Sequence, residues 1–91
     1  MYDVYTTNQY ERDLEKAKKR RLNIERLEKI ITLLASSDKP LPAQYKDHKL
    51  SGEYAGYREC HIENDWLLIY KKEKNNLILV LTRTGRHSDL F

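Results

Sequence analysis

The sequence has 91 residues, with 17 Lys and Arg against 14 Asp and Glu, and a net charge of +3. Only 40% of the residues are hydrophobic and no apolar run approaches the roughly 20 residues of a membrane-spanning helix, which excludes that class of protein. The length predicts one domain over residues 1–91, and the mild positive charge permits a nucleic-acid partner without requiring one. Cys60 is the only cysteine and the first residues lack a signal region, so we expect a cytoplasmic protein with no membrane partner.

The first half of the chain predicts a short strand followed by two helices. Residues 2–6 alternate weakly between apolar and polar side chains, as a strand does. Thr7 and Asn8 are favourable helix caps, and residues 10–21 place apolar side chains four and then three positions apart, on one narrow stripe. Asn23 caps a second predicted helix, which has a wider apolar stripe and ends before Pro40.

The second half predicts a long ordered loop and then three antiparallel strands. Residues 37–56 exceed the length of an ordinary connection, which indicates a functional loop. Strands are predicted over 57–62, 66–70 and 77–83, with a last helical turn at 88–91. The predicted fold class is therefore α+β, with both helices on one face of a mainly antiparallel sheet that the first strand extends. Trp66 and Cys60 are expected to be buried.

Residues suited to acid–base chemistry lie at the ends of predicted strands and in the long loop. His61 and Asp65 flank one predicted turn, so a hairpin would bring them within about one strand spacing of each other. His48 lies in the loop and His87 just after the last strand. Histidine exchanges protons near neutral pH, so such groups can act as general acid and base. Read alone, each histidine is more often an ordinary surface side chain than a catalytic one.

Two further patterns have a functional and a purely structural interpretation. Histidine, cysteine and aspartate are metal-ligand types, but their spacing matches no zinc motif, and the adjacent Cys60 and His61 must point to opposite faces of a strand. We therefore expect no metal and no other cofactor. The first predicted helix carries a basic run that is either a solvated face or a contact surface for RNA phosphates. The run consists of Lys16, Lys18, Lys19, Arg20 and Arg21.

Four blocks of sequence, taken together, resemble the YafQ branch of the RelE/ParE superfamily of bacterial toxin–antitoxin toxins. In chain order they are HKLSG at 48–52, GYRECHI at 56–62, DWLLIY at 65–70 and RTGRHSDLF at 83–91. No single block is specific, but their combination and order are, and they cover about half of the chain. The resemblance implies a RelE-like fold: a strand, two helices and an antiparallel meander.

The resemblance also implies a function, that of a type II toxin which cuts messenger RNA on the ribosome and is silenced by a partner antitoxin. By position, the implied catalytic residues are His48, His61, Asp65 and His87. The implied substrate-binding residues are Arg83, Phe91 and Glu59. Arg86 departs from the smaller, uncharged residue common in the family, and we expect it to bind the substrate as well, with the basic run contacting ribosomal RNA. The cleavage would proceed by attack of the RNA 2′-hydroxyl, without a metal and with a 2′,3′-cyclic phosphate product. The alternative is a binding module of the same fold that has no catalytic activity and binds an antitoxin, nucleic acid or gyrase.

Overall fold

A five-stranded sheet with its two long helices packed on one face forms the frame of the molecule in the computed structural model, which covers residues 1–91. The strands are β1 (Asp3–Thr6), β2 (His48–Lys49), β3 (Arg58–Glu63), β4 (Trp66–Glu73) and β5 (Ile78–Gly85). The helices are α1 (Asn8–Lys19), α2 (Ile24–Ser36) and the single turn α3 (His87–Leu90). The strand order is β1-β5-β4-β3-β2, with β1 parallel to β5 and every other pair antiparallel. The predicted α+β class is confirmed.

Both long helices begin at the side-chain caps expected from the sequence. The Thr7 hydroxyl accepts a hydrogen bond from the Tyr10 backbone N–H at 3.0 Å, and the Asn23 side chain accepts one from the Arg26 N–H at 3.2 Å. The end predicted for the first helix at residue 21 is wrong. α1 stops at Lys19, because Arg21 adopts a left-handed conformation (φ 58°) that turns the chain toward α2.

The strands β4 and β5 run further than their apolar side chains alone predict. β4 continues to Glu73 because its polar end keeps pairing with the start of β5, and β5 continues to Gly85 opposite Leu67. Strand pairing uses backbone groups, so it can extend past the apolar run that marks the strand in the sequence.

The long segment 37–56 folds against the sheet. It contains two 3₁₀ turns, Ala43–Tyr45 and Gly52–Tyr54, with the two-residue strand β2 between them. Asp47 anchors this segment by accepting hydrogen bonds from the Tyr70 hydroxyl at 2.6 Å and from Arg58 Nε at 3.2 Å. The anchor fixes the position of the next residue, His48.

The two faces of the sheet bury two separate apolar clusters. On one face α1 and α2 cover the main core, in which Cys60, Leu68 and the ring of Trp66 are at most 3% exposed. On the other face Leu67 and Ile69 form a small cluster with Leu90 of α3. This second face is only partly covered, which leaves the side chains of His48, His61 and Arg83 at least partly exposed. No helix of the chain has the length and apolar character that a membrane span needs.

Candidate active site

Strand pairing brings four of the predicted site residues into two rows across the sheet: His48, Glu59, His61 and Arg83. The first row follows the register from His48 to Glu59, then to Ile69 and Arg83. The second row runs from His61 through Leu67 to Gly85, two residues before His87. Since residues alternate between faces along a strand, Glu59 and His61 lie on the face opposite Cys60 and the two long helices.

Glu59 is a buried carboxylate between two imidazoles. Its Oε1 atom lies 3.4 Å from His48 Nε2 and 3.9 Å from His61 Nε2, and the two rings are 6.3 Å apart between centroids. Its other oxygen, Oε2, is buried without a hydrogen-bond partner. A buried carboxylate is stabilised by a positive neighbour, so this arrangement becomes an ion pair when either imidazole is protonated.

The ring of His48 is held from its other side by the backbone. Nδ1 lies 2.7 Å from the Lys46 carbonyl oxygen, which can only accept, so a hydrogen on Nδ1 completes the bond. The Nε2 atom is then directed at Glu59. Lys46 adopts a left-handed conformation (φ 50°) at the end of the first 3₁₀ turn, which brings its carbonyl within reach.

The C-terminal turn α3 supplies the remaining predicted residues. The Asp65 carboxylate accepts a hydrogen bond from the His87 backbone N–H at 3.2 Å. The His87 ring lies 4.9 Å from that of Phe91, and Phe91 meets the edge of Tyr54 at 5.8 Å. Phe91 remains 56% exposed, so its ring has a free surface.

Asp65, predicted to lie within about one strand spacing of His61, makes its hydrogen bond to His87. No hydrogen bond or ion pair joins His61 to Asp65, because the register shifts between His61 and Glu63 and the regular hairpin geometry is lost. Asp65 therefore connects the β3–β4 turn to α3.

Arg83 is fixed by an acidic residue that the sequence reasoning missed. Asp13 of α1 accepts hydrogen bonds from Arg83 Nε at 3.0 Å and Nη2 at 3.1 Å, and from the Thr84 N–H at 3.1 Å. The hydrogen bonds with Asp13 raise the pKa of Arg83 above its ordinary value, although burial acts in the opposite direction. The sequence did carry a signal: Asp13 stands on the apolar stripe of its helix, one position before Leu14. Arg86, by contrast, is exposed and its side chain makes no ion pair.

The basic run lies on the exposed side of α1 and the turn after it. Ala17 packs into the core as expected, whereas Lys16, Lys18, Lys19 and Arg21 are exposed and make no side-chain hydrogen bond. Arg20 differs, because its Nη1 pairs with Asp89 Oδ2 of α3 at 2.9 Å.

Cys60 lies on the opposite, helix-covered face, so its thiol is not part of this site. Burial, with smaller contributions from Asp47 and Glu59, raises the pKa of the Cys60 thiol and keeps it protonated. No group of three or more His, Cys, Asp or Glu side chains is arranged to hold a metal ion. The face carries imidazoles, carboxylates and guanidiniums on an open surface. Imidazoles and carboxylates can transfer protons, and guanidiniums can bind an anionic substrate.

Comparison with known proteins shows which class of protein has this α+β fold and this open sheet face. The family model described as bacterial toxin of type II toxin–antitoxin system, YafQ, matches residues 2–91, so the chain belongs to the YafQ family of toxins. The mRNA interferase toxin YafQ of Escherichia coli strain K12 is 44% identical over 89 residues, which are 98% of this chain and 95% of that protein.

Solved structures agree with this family and with the fold. YafQ in the Escherichia coli DinJ–YafQ complex has a TM-score of 0.90 and 41% identity, over 100% of this chain and 99% of that one. A metal-bound toxin from Helicobacter pylori has a TM-score of 0.92 and 37% identity, over the whole of both chains. The resemblance read from the sequence is confirmed, as is the fold it implied.

Proposed function

We propose that this toxin is an mRNA interferase, an endoribonuclease that cuts messenger RNA on the ribosome and so inhibits translation. The observation that carries the proposal is the row His48, Glu59 and Arg83 across one open sheet face, with His87 two residues beyond the end of the adjacent row. The family and its relative named an mRNA interferase toxin support the same activity.

The proposed reaction uses the RNA itself as the nucleophile. The 2′-hydroxyl loses a proton to a general base and attacks the adjacent phosphorus, forming the 2′,3′-cyclic phosphate. The bond from phosphorus to the 5′-oxygen breaks, and that oxygen takes a proton from a general acid. The pentavalent intermediate carries additional negative charge, which cationic groups stabilise. Both proton transfers and the charge stabilisation can come from side chains, without a metal.

Each role is assigned to a residue by position in the site. His87 is the general acid, and Arg83 and Arg86 stabilise the intermediate. The base is one of His48, His61 and Asp65. The carboxylate of Glu59 favours the two histidines, because it lies 3.4 and 3.9 Å from their Nε2 atoms and can orient both rings. Phe91, with its exposed ring, stacks on a base of the RNA.

Two macromolecular partners complete the proposal besides the messenger RNA. The exposed lysines of α1 contact phosphates of ribosomal RNA. An antitoxin protein binds and silences the toxin, as the complex of the related YafQ with DinJ suggests.

The central test is cleavage by the His87→Ala variant on ribosomes programmed with a defined message. Wild-type protein should give fragments that end in a 2′,3′-cyclic phosphate. The variant should cut at least about 100-fold more slowly in single-turnover assays while still binding ribosomes, because only a proton donor is lost. Ser88→Ala, an exposed neighbour in the same turn, is the matched control and should cut like wild type. Wild-type protein that leaves the message intact would refute the proposal.

A chelator distinguishes the metal-free mechanism from a metal-dependent one. The test is needed because a related toxin from Helicobacter pylori has been solved with a bound metal. Cleavage should persist in EDTA at concentrations that the ribosomes tolerate, with a magnesium-buffered control to keep them intact. Loss of cutting that returns on adding a transition metal would overturn the assignment of both proton transfers to side chains alone.

A further inference from the structure

A cavity of about 360 Å³ is lined by His61, the first residue of the second row, and otherwise by residues outside both rows. It occupies the edge of β3 beyond the two residues that pair with β2. Its walls come from the start of α2, the 3₁₀ turn Ala43–Tyr45 and the turn after β3. We call it the β3-edge groove. Its volume is in the range of pockets that hold small organic ligands.

The polar groups around the β3-edge groove are free to bind a ligand. The side chains of Gln44 and Asn64 are exposed and make no hydrogen bond within the chain. Arg26 donates from Nε to the Ile62 carbonyl at 2.9 Å, which fixes the guanidinium and leaves both Nη groups available. Tyr45 and Ile62 form a small apolar floor, since both are at most 5% exposed and the other lining residues are polar or charged.

An apolar floor with amides and a guanidinium at its rim matches the chemistry of a nucleobase. A base presents flat faces for packing and has hydrogen-bond donors and acceptors at its edges. A side-chain amide can pair with these edges because it both donates and accepts hydrogen bonds. The charge also fits RNA, since Arg26 and Lys46 outnumber Glu63 in the lining. A shallower cavity continues the groove past Arg26 and adds Glu25 and Lys29, whose charges balance, so the net positive charge of the lining is unchanged.

We infer that the β3-edge groove binds the nucleotide next to the scissile linkage on the His61 side, with Gln44 and Asn64 recognising its base. This inference rests on the proposed function, because His61 places the groove at the reacting linkage. His61 is separated by two strand spacings, about 10 Å, from β5, the strand that leads into α3 and Phe91. The RNA would therefore have one base at Phe91 and its neighbour across the cut in the groove. The two amides then set part of the codon preference.

The first test measures cleavage preference on ribosomes for messages that differ at one position beside the cut. Gln44→Ala and Asn64→Ala should each change the ratio of cutting between nucleotides at that position by about tenfold, since a base-reading contact is lost. Asn76→Ala is the matched control, because Asn76 is also an exposed asparagine in a β-turn, the one between β4 and β5. An unchanged preference in both groove variants, or equal slowing on every codon, would overturn the inference.

The second test separates the groove from the cleavage reaction itself. A trinucleotide with 2′-O-methyl groups cannot supply the attacking hydroxyl, so it can be titrated into the free protein and followed by NMR. The side-chain amide signals of Gln44 and Asn64 should shift, and those of Asn76 should not. If only the signals of Phe91 and His87 shift, the groove is not a nucleotide site and the proposed function still stands. If the groove signals shift but wild-type protein cuts no message on ribosomes, the proposed function fails instead.

A protein partner is the competing occupant of the groove. Should Gln44→Ala and Asn64→Ala weaken binding of the antitoxin encoded beside this toxin and leave codon preference as in wild type, the groove belongs to that partner and the inference is wrong.

Discussion

Asp13 is the side chain that joins the helical layer to the proposed phosphate-binding arginine. It is 6% exposed and accepts four hydrogen bonds: two from Arg83, one from the Thr84 backbone and one from Gln9 Nε2 at 3.0 Å. Burial alone would raise the pKa of Asp13, but the hydrogen bonds from Arg83, Gln9 and Thr84 outweigh burial and lower it. The carboxylate is therefore stabilised in its charged form and holds the guanidinium in one orientation.

We expect Asp13→Asn to destabilise the fold at pH 7 and to become less harmful in acid. Removing one partner of a buried ion pair costs about 3 kcal/mol at the lower end of the usual range. We expect this lower value here, because the Arg83 side chain is 23% exposed and water can partly solvate its charge. Since the folded-state pKa of Asp13 is lowered, its stabilisation is complete above the unfolded pKa of about 4 and is lost as the pH falls through the folded value. Below that value the wild-type side chain is protonated and resembles asparagine.

Urea unfolding of both proteins between pH 7 and pH 3 checks this expectation. The difference in the free energy of unfolding should be largest near neutrality and shrink below about pH 4. Glu15→Gln removes a carboxylate from the exposed side of the same helix and should change stability little at any pH. A constant difference across the whole range would mean that Asp13 acts through its shape rather than its charge.

At the scale of single elements, α3 is too short to be stable by itself. It is held by Asp89, which lies within the turn, and by Asp65 from the turn between β3 and β4. Asp89 accepts from the Arg86 N–H at 3.0 Å and pairs with Arg20 at 2.9 Å, while Asp65 accepts from the His87 N–H. A helix of one turn gains little from its own hydrogen bonds, so these contacts determine where His87 and Phe91 lie.

Asp89→Ala should therefore loosen α3 without unfolding the protein. The Phe91 N–H, which bonds to the His87 carbonyl at 3.0 Å, should exchange with solvent about fivefold faster, as expected for the loss of about 1 kcal/mol of capping. NMR hydrogen exchange measures this directly. Ser88→Ala leaves the cap intact and should keep the wild-type rate, as should amides in the centre of β4. Equal protection of Phe91 in wild type and variant would show that packing of Leu90, not Asp89, holds the turn.

The elements differ in how well the sequence predicts them, for a physical reason. α1 and α2 are predictable because caps and apolar stripes are local signals, spaced within the element itself. β2 is not, since it has two residues, no periodicity, and pairs only because Asp47 anchors the segment to Tyr70 and Arg58. The end of α1 was missed because the left-handed Arg21 is neither glycine nor asparagine, the residues that usually mark such a stop.

For the whole molecule, the predictable part is the layering and the unpredictable part is the pairing between distant segments. Helices followed by strand-like runs indicate an α+β fold with both helices on one face. Nothing local indicates that β1 runs parallel to β5, with Val4 opposite Leu79, or that Asp13 meets Arg83 across 70 positions. The proposed site could be gathered from the sequence only through the family blocks, because His48, Glu59 and Arg83 share a row solely through strand register.

The proposed contact with the ribosome depends on how charge is distributed over the whole molecule. The salt dependence of ribosome binding tests it. Lys16→Ala with Lys19→Ala removes two exposed cations from α1, and Lys39→Ala with Lys74→Ala removes two at a separate cavity beside Asp38. Both double variants have the same net charge. If α1 contacts ribosomal phosphates, only the first should bind ribosomes more weakly at low salt, because fewer counterions are released on binding.

The slope of log affinity against log salt concentration is the decisive quantity. For two lost phosphate contacts it should become shallower by about 1.5 in the α1 variant and stay as in wild type in the other. Sedimentation with ribosomes over 50 to 200 mM salt gives both slopes. Equal weakening of the two variants would mean that net charge alone attracts the toxin, and that α1 has no preferred contact with RNA.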